Sequence, residues 1–183
     1  AVDASTYDHA TGGGIWGDGT TNLVSQLNGA DFSCGDYASF LFRLEVSPTP
    51  VAPVSTARVV LTFTADSTGQ SGAALTIDDT STAHVLVTSS ATDTGVTGDD
   101  GSALANVTAS TTGSQFTSGS TEQLQLDVLD LEAGENVVVR TDVRIACDPG
   151  STPTGNLQAT LTSIEVVAPG DPGAVSGGNQ TVK

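Results

Sequence analysis

Apolar and polar residues alternate one for one along several segments of this chain, which restricts them to strands with one buried face. From Tyr37 to Val46, Phe40, Phe42, Leu44 and Val46 fall on one side and Leu41, Arg43 and Glu45 on the other. Ala57 to Ala65 repeats the pattern, with Val59, Leu61 and Phe63 inward. Leu124, Leu126 and Val128 alternate, Glu132 to Glu135 reads as a turn, and Val137, Val139, Val143, Ile145 and Cys147 follow on one face. Val138, Arg140, Asp142 and Arg144 lie opposite them. Short strands are predicted at Leu75–Ile77 and Val85–Val87, a fainter one at Ala103–Ala109, and a last one from Leu157 to Val167. Thr and Ser make up about a quarter of the chain and Gly punctuates the apolar runs, a composition suited to strands and turns. The prediction is an all-β fold: a single β-sandwich, immunoglobulin-like or jelly-roll-like, of about nine strands.

Residues 20–167 are expected to form the sandwich, 1–19 an N-terminal loop able to act as a donor segment, and 168–183 a linker and C-terminal tail. The Pro-rich stretch 48–53 reads as a connection, because proline cannot serve a central strand. Ser89 to Ser102 reads as a long loop. The opening Ala1-Val2-Asp3-Ala4 reads as a mature terminus left by cleavage at a small-residue site.

The net charge is −16, with only five basic residues, which argues against nucleic acid and anionic membrane surfaces as partners. Such acidity serves solubility, or it points to cation binding or to a habitat with enough salt to screen the charge. Cys34 and Cys147 are expected to form one disulfide, and with the scarcity of Lys they place the chain outside the cell, secreted or at the cell surface.

The run LDVLDLEAGENVVVRTDVRIACD at 126–148 resembles the penultimate strands of bacterial immunoglobulin-like surface modules through Leu131, Gly134, Glu135, Val137 and Val139. That resemblance implies adhesion, spacing or filament-forming roles and transfers no catalytic residue.

No nucleophile elbow, P-loop or zinc-protease motif occurs, and the histidines are His9 and His84 alone, so the chain does not read as an enzyme. His84 reads as a surface or satisfied strand histidine pointing away from Val85 and Val87. The only lysine, Lys183, is the last residue, which argues against isopeptide stapling. Ca²⁺ is the one cofactor the composition suggests, since hard cations take clustered oxygens. Its candidate ligands are Asp93, Asp99 and Asp100, then Asp78 and Asp79, then Asp31 with Asp36, although Asp beside Gly and Thr also serves turns. Trp16 could stack on a sugar, fill a neighbour's pocket or cap the sandwich, and Asn106 and Asn179 open glycosylation sequons. The expected function is that of a structural subunit of a non-covalent surface filament, built from copies of itself by strand addition. The alternative is a calcium-stabilised adhesion or carbohydrate-binding module, whose partners would be glycans or other surface proteins.

Overall fold

The computed structural model describes residues 23–24, 27–46, 56–65, 73–81, 84–88, 103–112, 116, 121–131, 136–167 and 175–182. These form two antiparallel sheets packed face to face. In chain order the strands are β1 (Leu23–Val24), β2 (Leu27–Asn28), β3 (Tyr37–Val46), β4 (Thr56–Ala65), β5 (Ala73–Thr76), β6 (Val85–Thr88), β7 (Ala103–Thr112), β8 (Thr121–Leu129), β9 (Asn136–Cys147), β10 (Asn156–Val166) and β11 (Val175–Val182). The first sheet runs β1-β11-β3-β9-β5, with β6 beside β5 on the same edge of β9; the second runs β2-β10-β4-β8-β7. The described residues thus carry eleven strands, against about nine expected; β1, β2 and β11 are the additions.

The order has a simple logic. Pairing β1 with β11, β2 with β10, β3 with β9 and β4 with β8 describes one long double ribbon rolled so that successive rungs fall in opposite sheets. That is jelly-roll connectivity. The β8–β9 segment, which reads as a hairpin in sequence, therefore crosses from one sheet to the other. Alternation reveals a buried face but not the partner that shares it.

The core follows the alternation. Phe40, Phe42, Leu44 and Val46 of β3 meet Ala57, Val59, Leu61 and Phe63 of β4 across the sandwich, all buried. Phe63 packs against Phe40 and Phe42 at ring-centroid distances of 5.4 and 5.9 Å, tilted and edge-on. Such geometries are favoured by ring quadrupoles over flat sandwiches. Leu124, Leu126, Val128, Val137, Val139, Val143 and Ile145 complete the aliphatic layer.

Two polar side chains break that layer. Glu122 is buried on the inner face of β8, where its carboxylate accepts from the Ile77 amide at 3.3 Å and the Thr111 hydroxyl at 2.6 Å. It thereby links the two sheets. Thr141 is fully buried, and its hydroxyl has no hydrogen-bond partner among the described residues. An unsatisfied hydroxyl in an apolar layer costs free energy that a methyl of similar size does not. Thr141→Val is expected to raise stability by about 1 kcal/mol in urea melts; a loss of stability would mean that the hydroxyl is satisfied.

The termini of the sandwich differ from the sequence reading. Residues 175–182, expected as part of a linker and tail, form β11, which pairs with β3 from Val175↔Val46 to Thr181↔Phe40. Val182 and Thr181 also pair with Leu23 and Val24 of β1. Gly177 and Gly178 interrupt any alternation there, so the strand is specified by main-chain pairing instead. Gly29 is needed for a close approach: its amide donates to the Gly155 carbonyl at 2.6 Å, and a Cβ would meet Thr154 backbone atoms at 3.0–3.1 Å.

The predicted disulfide forms. Cys34 and Cys147 are bridged across 113 residues, with Cα atoms 5.7 Å apart. The bridge fixes the turn Ser33–Asp36 to the end of β9. In that turn the Asp36 carboxylate accepts from the Ser33 amide at 2.7 Å, and Gly35 takes φ +93°, a conformation glycine adopts without strain.

Candidate functional site

β5 and β6 both pair with β9 but leave a gap in the edge. β5 covers Arg144 to Cys147 and β6 covers Val138 to Thr141. The loop between them carries Asp78, Asp79, Ser81 and His84 and meets a charge cluster on the side of β9 facing away from the core.

Asp142 is the centre of that cluster. Its side chain is fully buried, which is costly for a carboxylate unless its oxygens are satisfied. The Ser39 hydroxyl donates to Oδ1 at 2.8 Å, and the Arg140 guanidinium donates to Oδ2 at 2.9 Å. Arg140 sits two residues away on the same strand face, and Ser39 lies directly across on β3. Burial pushes the Asp142 carboxyl above its ordinary value, outweighing Arg140, Ser39 and His84, which pull it down.

His84 lies over Asp142. Its carbonyl accepts from the Asp142 amide at 2.8 Å, and its ring stacks on Tyr37, with centroids 4.7 Å apart and planes 9° from parallel. Nδ1 is 3.4 Å from Asp142 Oδ2 and is buried without a hydrogen bond among the described residues. Nε2 is 3.8 Å from Asp79 Oδ2. The Asp79 carboxylate accepts from the Ser81 amide at 2.8 Å, and hydrogen bonds from Ser81 hold it below its ordinary value. Asp78 pairs with Arg144 at 3.3 Å. Burial raises the Tyr37 phenol first, then Asp78, with Arg144 opposing.

Ser39, Asp142 and His84 are the residue types of a nucleophilic triad, but the order is wrong. The serine hydroxyl donates to the carboxylate rather than to an imidazole nitrogen, so no base is placed to take its proton. The cluster binds a loop to a sheet.

A second network lies on the outer face of the other sheet. Asp127 accepts from Arg58 through both carboxylate oxygens, at 2.9 and 3.1 Å, and from the Asn106 amide nitrogen at 2.8 Å. The Arg58 hydrogen bond is the main reason the Asp127 carboxyl lies below its ordinary value, with burial opposing and Asn106 assisting. Its contribution to stability is present above the unfolded carboxyl value and is lost as pH falls through the folded one. Asn106 adopts φ 51° where the β7–β8 register shifts between Ala105 and Thr108. The shift is a β-bulge, and asparagine tolerates that backbone better than most residues. Beyond it, Thr108 to Thr112 run in regular register with Gln125 to Thr121, exposed along their length.

Of the candidate calcium ligands, Asp78 and Asp79 are engaged with Arg144, Ser81 and His84 as above, and Asp36 closes its own turn. Asp31 ends a 3-10 turn over Gly29–Asp31 and is exposed. No three of the His, Cys, Asp or Glu side chains among the described residues come together as metal ligands. Asp93, Asp99, Asp100, His9 and Trp16 lie outside the described residues. Asn179 is placed by its backbone in β11, opposite Phe42. The Arg140–Asp142–Ser39 cluster was not anticipated; its signal was an Arg and an Asp two apart on one strand face, opposite a Ser. No protein-family model, curated protein or solved structure matches this chain.

Proposed function

We propose that this protein is a structural extracellular subunit that assembles non-covalently with copies of itself by strand addition. The observation that carries the reading is β7, a ten-residue edge strand. β8 pairs with one of its sides, and no strand among the described residues pairs with the other. Exposed edges are normally blunted by Lys, Pro or bulges. β7 has neither Lys nor Pro, and its bulge at Asn106 disturbs the first half only. Thr108 to Thr112 remain a flat polar template of main-chain donors and acceptors, suited to an extended segment from residues 1–19 of a neighbour. The disulfide supports an oxidising, extracellular setting.

Copies carrying −16 each repel, so assembly requires salt or bridging cations. Light scattering and negative-stain microscopy are expected to show oligomers at about 0.15 M salt that dissociate at about 0.01 M, where the screening length grows roughly fourfold. Placing lysines at Thr108 and Ser110 together is expected to abolish assembly without unfolding the sandwich, and deleting residues 1–11 to do the same. A strictly monomeric protein at every salt concentration, or a double-lysine variant that assembles as the parent does, would sink the proposal.

A further inference from the structure

The outward face of the second sheet carries side chains in register across four strands. Thr160, Thr62, Gln123 and Ser110 stand in one row across β10, β4, β8 and β7. Ser163, Val60, Gln125 and Thr108 form the next. All of these are exposed or half-buried, whereas Leu61 and Phe63, between them along β4, are buried in the core. The register shift between Leu161 and Ser163 turns Thr162 outward as well, where its hydroxyl meets that of Thr62 at 2.6 Å. Neither row holds a charge. Charge enters in the row beyond Val60, where Glu165, Arg58 and Asp127 stand side by side and Arg58 holds Asp127. β7 adds none, because it lies in the longest uncharged stretch of the chain, between Asp100 and Glu122.

Charge decides what this face accepts. A cationic partner would be drawn to the acidic remainder of a chain carrying −16, not to a neutral array. Neither row has an aromatic ring on which a sugar could stack. A second copy of the chain meets the opposite situation: it is repelled by the acidic surface and accepted where charge is absent. Thr, Ser and Gln side chains set against one another exchange hydrogen bonds without desolvating an ion.

We infer that two copies pack face to face through this array, about a two-fold axis that runs along the row from Thr160 to Ser110. Such an axis reverses strand direction, so each residue of that row meets its own counterpart and the Val60 row meets the Thr64 row. An axis along the strands would instead stack the two Arg58 rows on each other. Outward residues follow one another at about 6.8 Å along a strand, so the reversed arrangement holds the Arg58 rows about 27 Å apart, more than three screening lengths of about 8 Å at 0.15 M salt. Three rows of four residues, at about 4.8 by 6.8 Å each, cover roughly 400 Å² per copy, half of what stable complexes bury, so the pair is weak and concentration-dependent. The contact uses side chains of the face and leaves the main-chain edge of β7 free. It therefore stands or falls apart from strand addition.

Cross-linking of the full chain tests it. Both native cysteines are bridged, so one added cysteine is the only free thiol. Gln123→Cys, in the row on the axis, is expected to form an interchain disulfide under mild oxidation at about 0.15 M salt roughly tenfold faster than Thr80→Cys, an exposed loop position off the face. Adding Thr160→Glu sets two like charges against each other in the pair and is expected to bring the Gln123→Cys rate down to that of Thr80→Cys. Equal rates for the two cysteine variants, or a Gln123→Cys rate that Thr160→Glu leaves unchanged, would overturn the pair. Should Gln123→Cys fail to fold, Thr160→Cys with Thr62→Glu repeats both arms in the same row.

Discussion

Replacing Cys34 and Cys147 together by serine is expected to cost about 4–5 kcal/mol of stability, because the bridge closes a loop of more than a hundred residues in the unfolded chain. For a domain of this size that corresponds to a fall of roughly 10–15 °C in melting temperature. The loss has a local face as well. The Gly35 amide donates to the Ile145 carbonyl at 2.7 Å and the Ile145 amide to the Asp36 carbonyl at 2.8 Å, which extends the β3–β9 pairing into the turn that the disulfide anchors. Without the bridge this corner and the neighbouring β5, where Ala73 pairs with Cys147, should exchange amide protons first. A urea melt showing a loss under about 1.5 kcal/mol would contradict the chain-entropy account.

The second large effect belongs to Arg140. Arg140→Met leaves the Asp142 carboxylate buried without its guanidinium, a change expected to cost about 3–5 kcal/mol near neutral pH. Arg140→Met with Asp142→Leu should recover most of that, since the stranded charge rather than the lost attraction is the larger cost. The pH dependence has a definite sign. Burial already raises the Asp142 carboxyl, so the folded state holds its proton more tightly than the unfolded chain does. Its contribution is therefore fully present below the unfolded value of about 3.9 and is lost as pH rises through the folded value. Arg140 is the largest of the influences opposing that rise, so its removal lifts the carboxyl further. The deficit of Arg140→Met relative to the parent should shrink as urea melts are taken from about pH 8 towards about pH 4. A deficit that does not change with pH would show that Asp142 is not the group responsible.

Much of the fold was legible because β3, β4, β8 and β9 each bury one face. Phe40, Val59, Leu126 and Val139 all point where period-two alternation puts them. Alternation says nothing about whether the opposite face is covered. Leu41, Ser39, Arg140 and Asp142 were assignable to that opposite face, yet all are buried there. Leu41, an apolar residue among Arg43 and Glu45, was the visible hint. β11 was illegible for a different reason, since its glycines carry no pattern and its place is set by pairing with β3. His84, expected as a surface or satisfied strand histidine, lies in the turn just before β6 and stacks on Tyr37. Its carboxylate neighbours come from the loop before it and from β9, at sequence separations of 5 for Asp79 and 58 for Asp142, so only the fold brings them together.

The rolled ribbon also dictates a timetable for synthesis. β3, which carries Phe40, Phe42 and Leu44, pairs with β9 and β11. Its first partner residue in β9 is Asn136 and its first in β11 is Val175, both made long after β3 itself. A ribosome adding about 5–20 residues per second therefore leaves β3 unpaired with β9 for several seconds. High contact order of this kind slows folding and exposes strand edges meanwhile. The yield in a cell is therefore expected to respond to holding chaperones that cover β3 until β9 and β11 emerge.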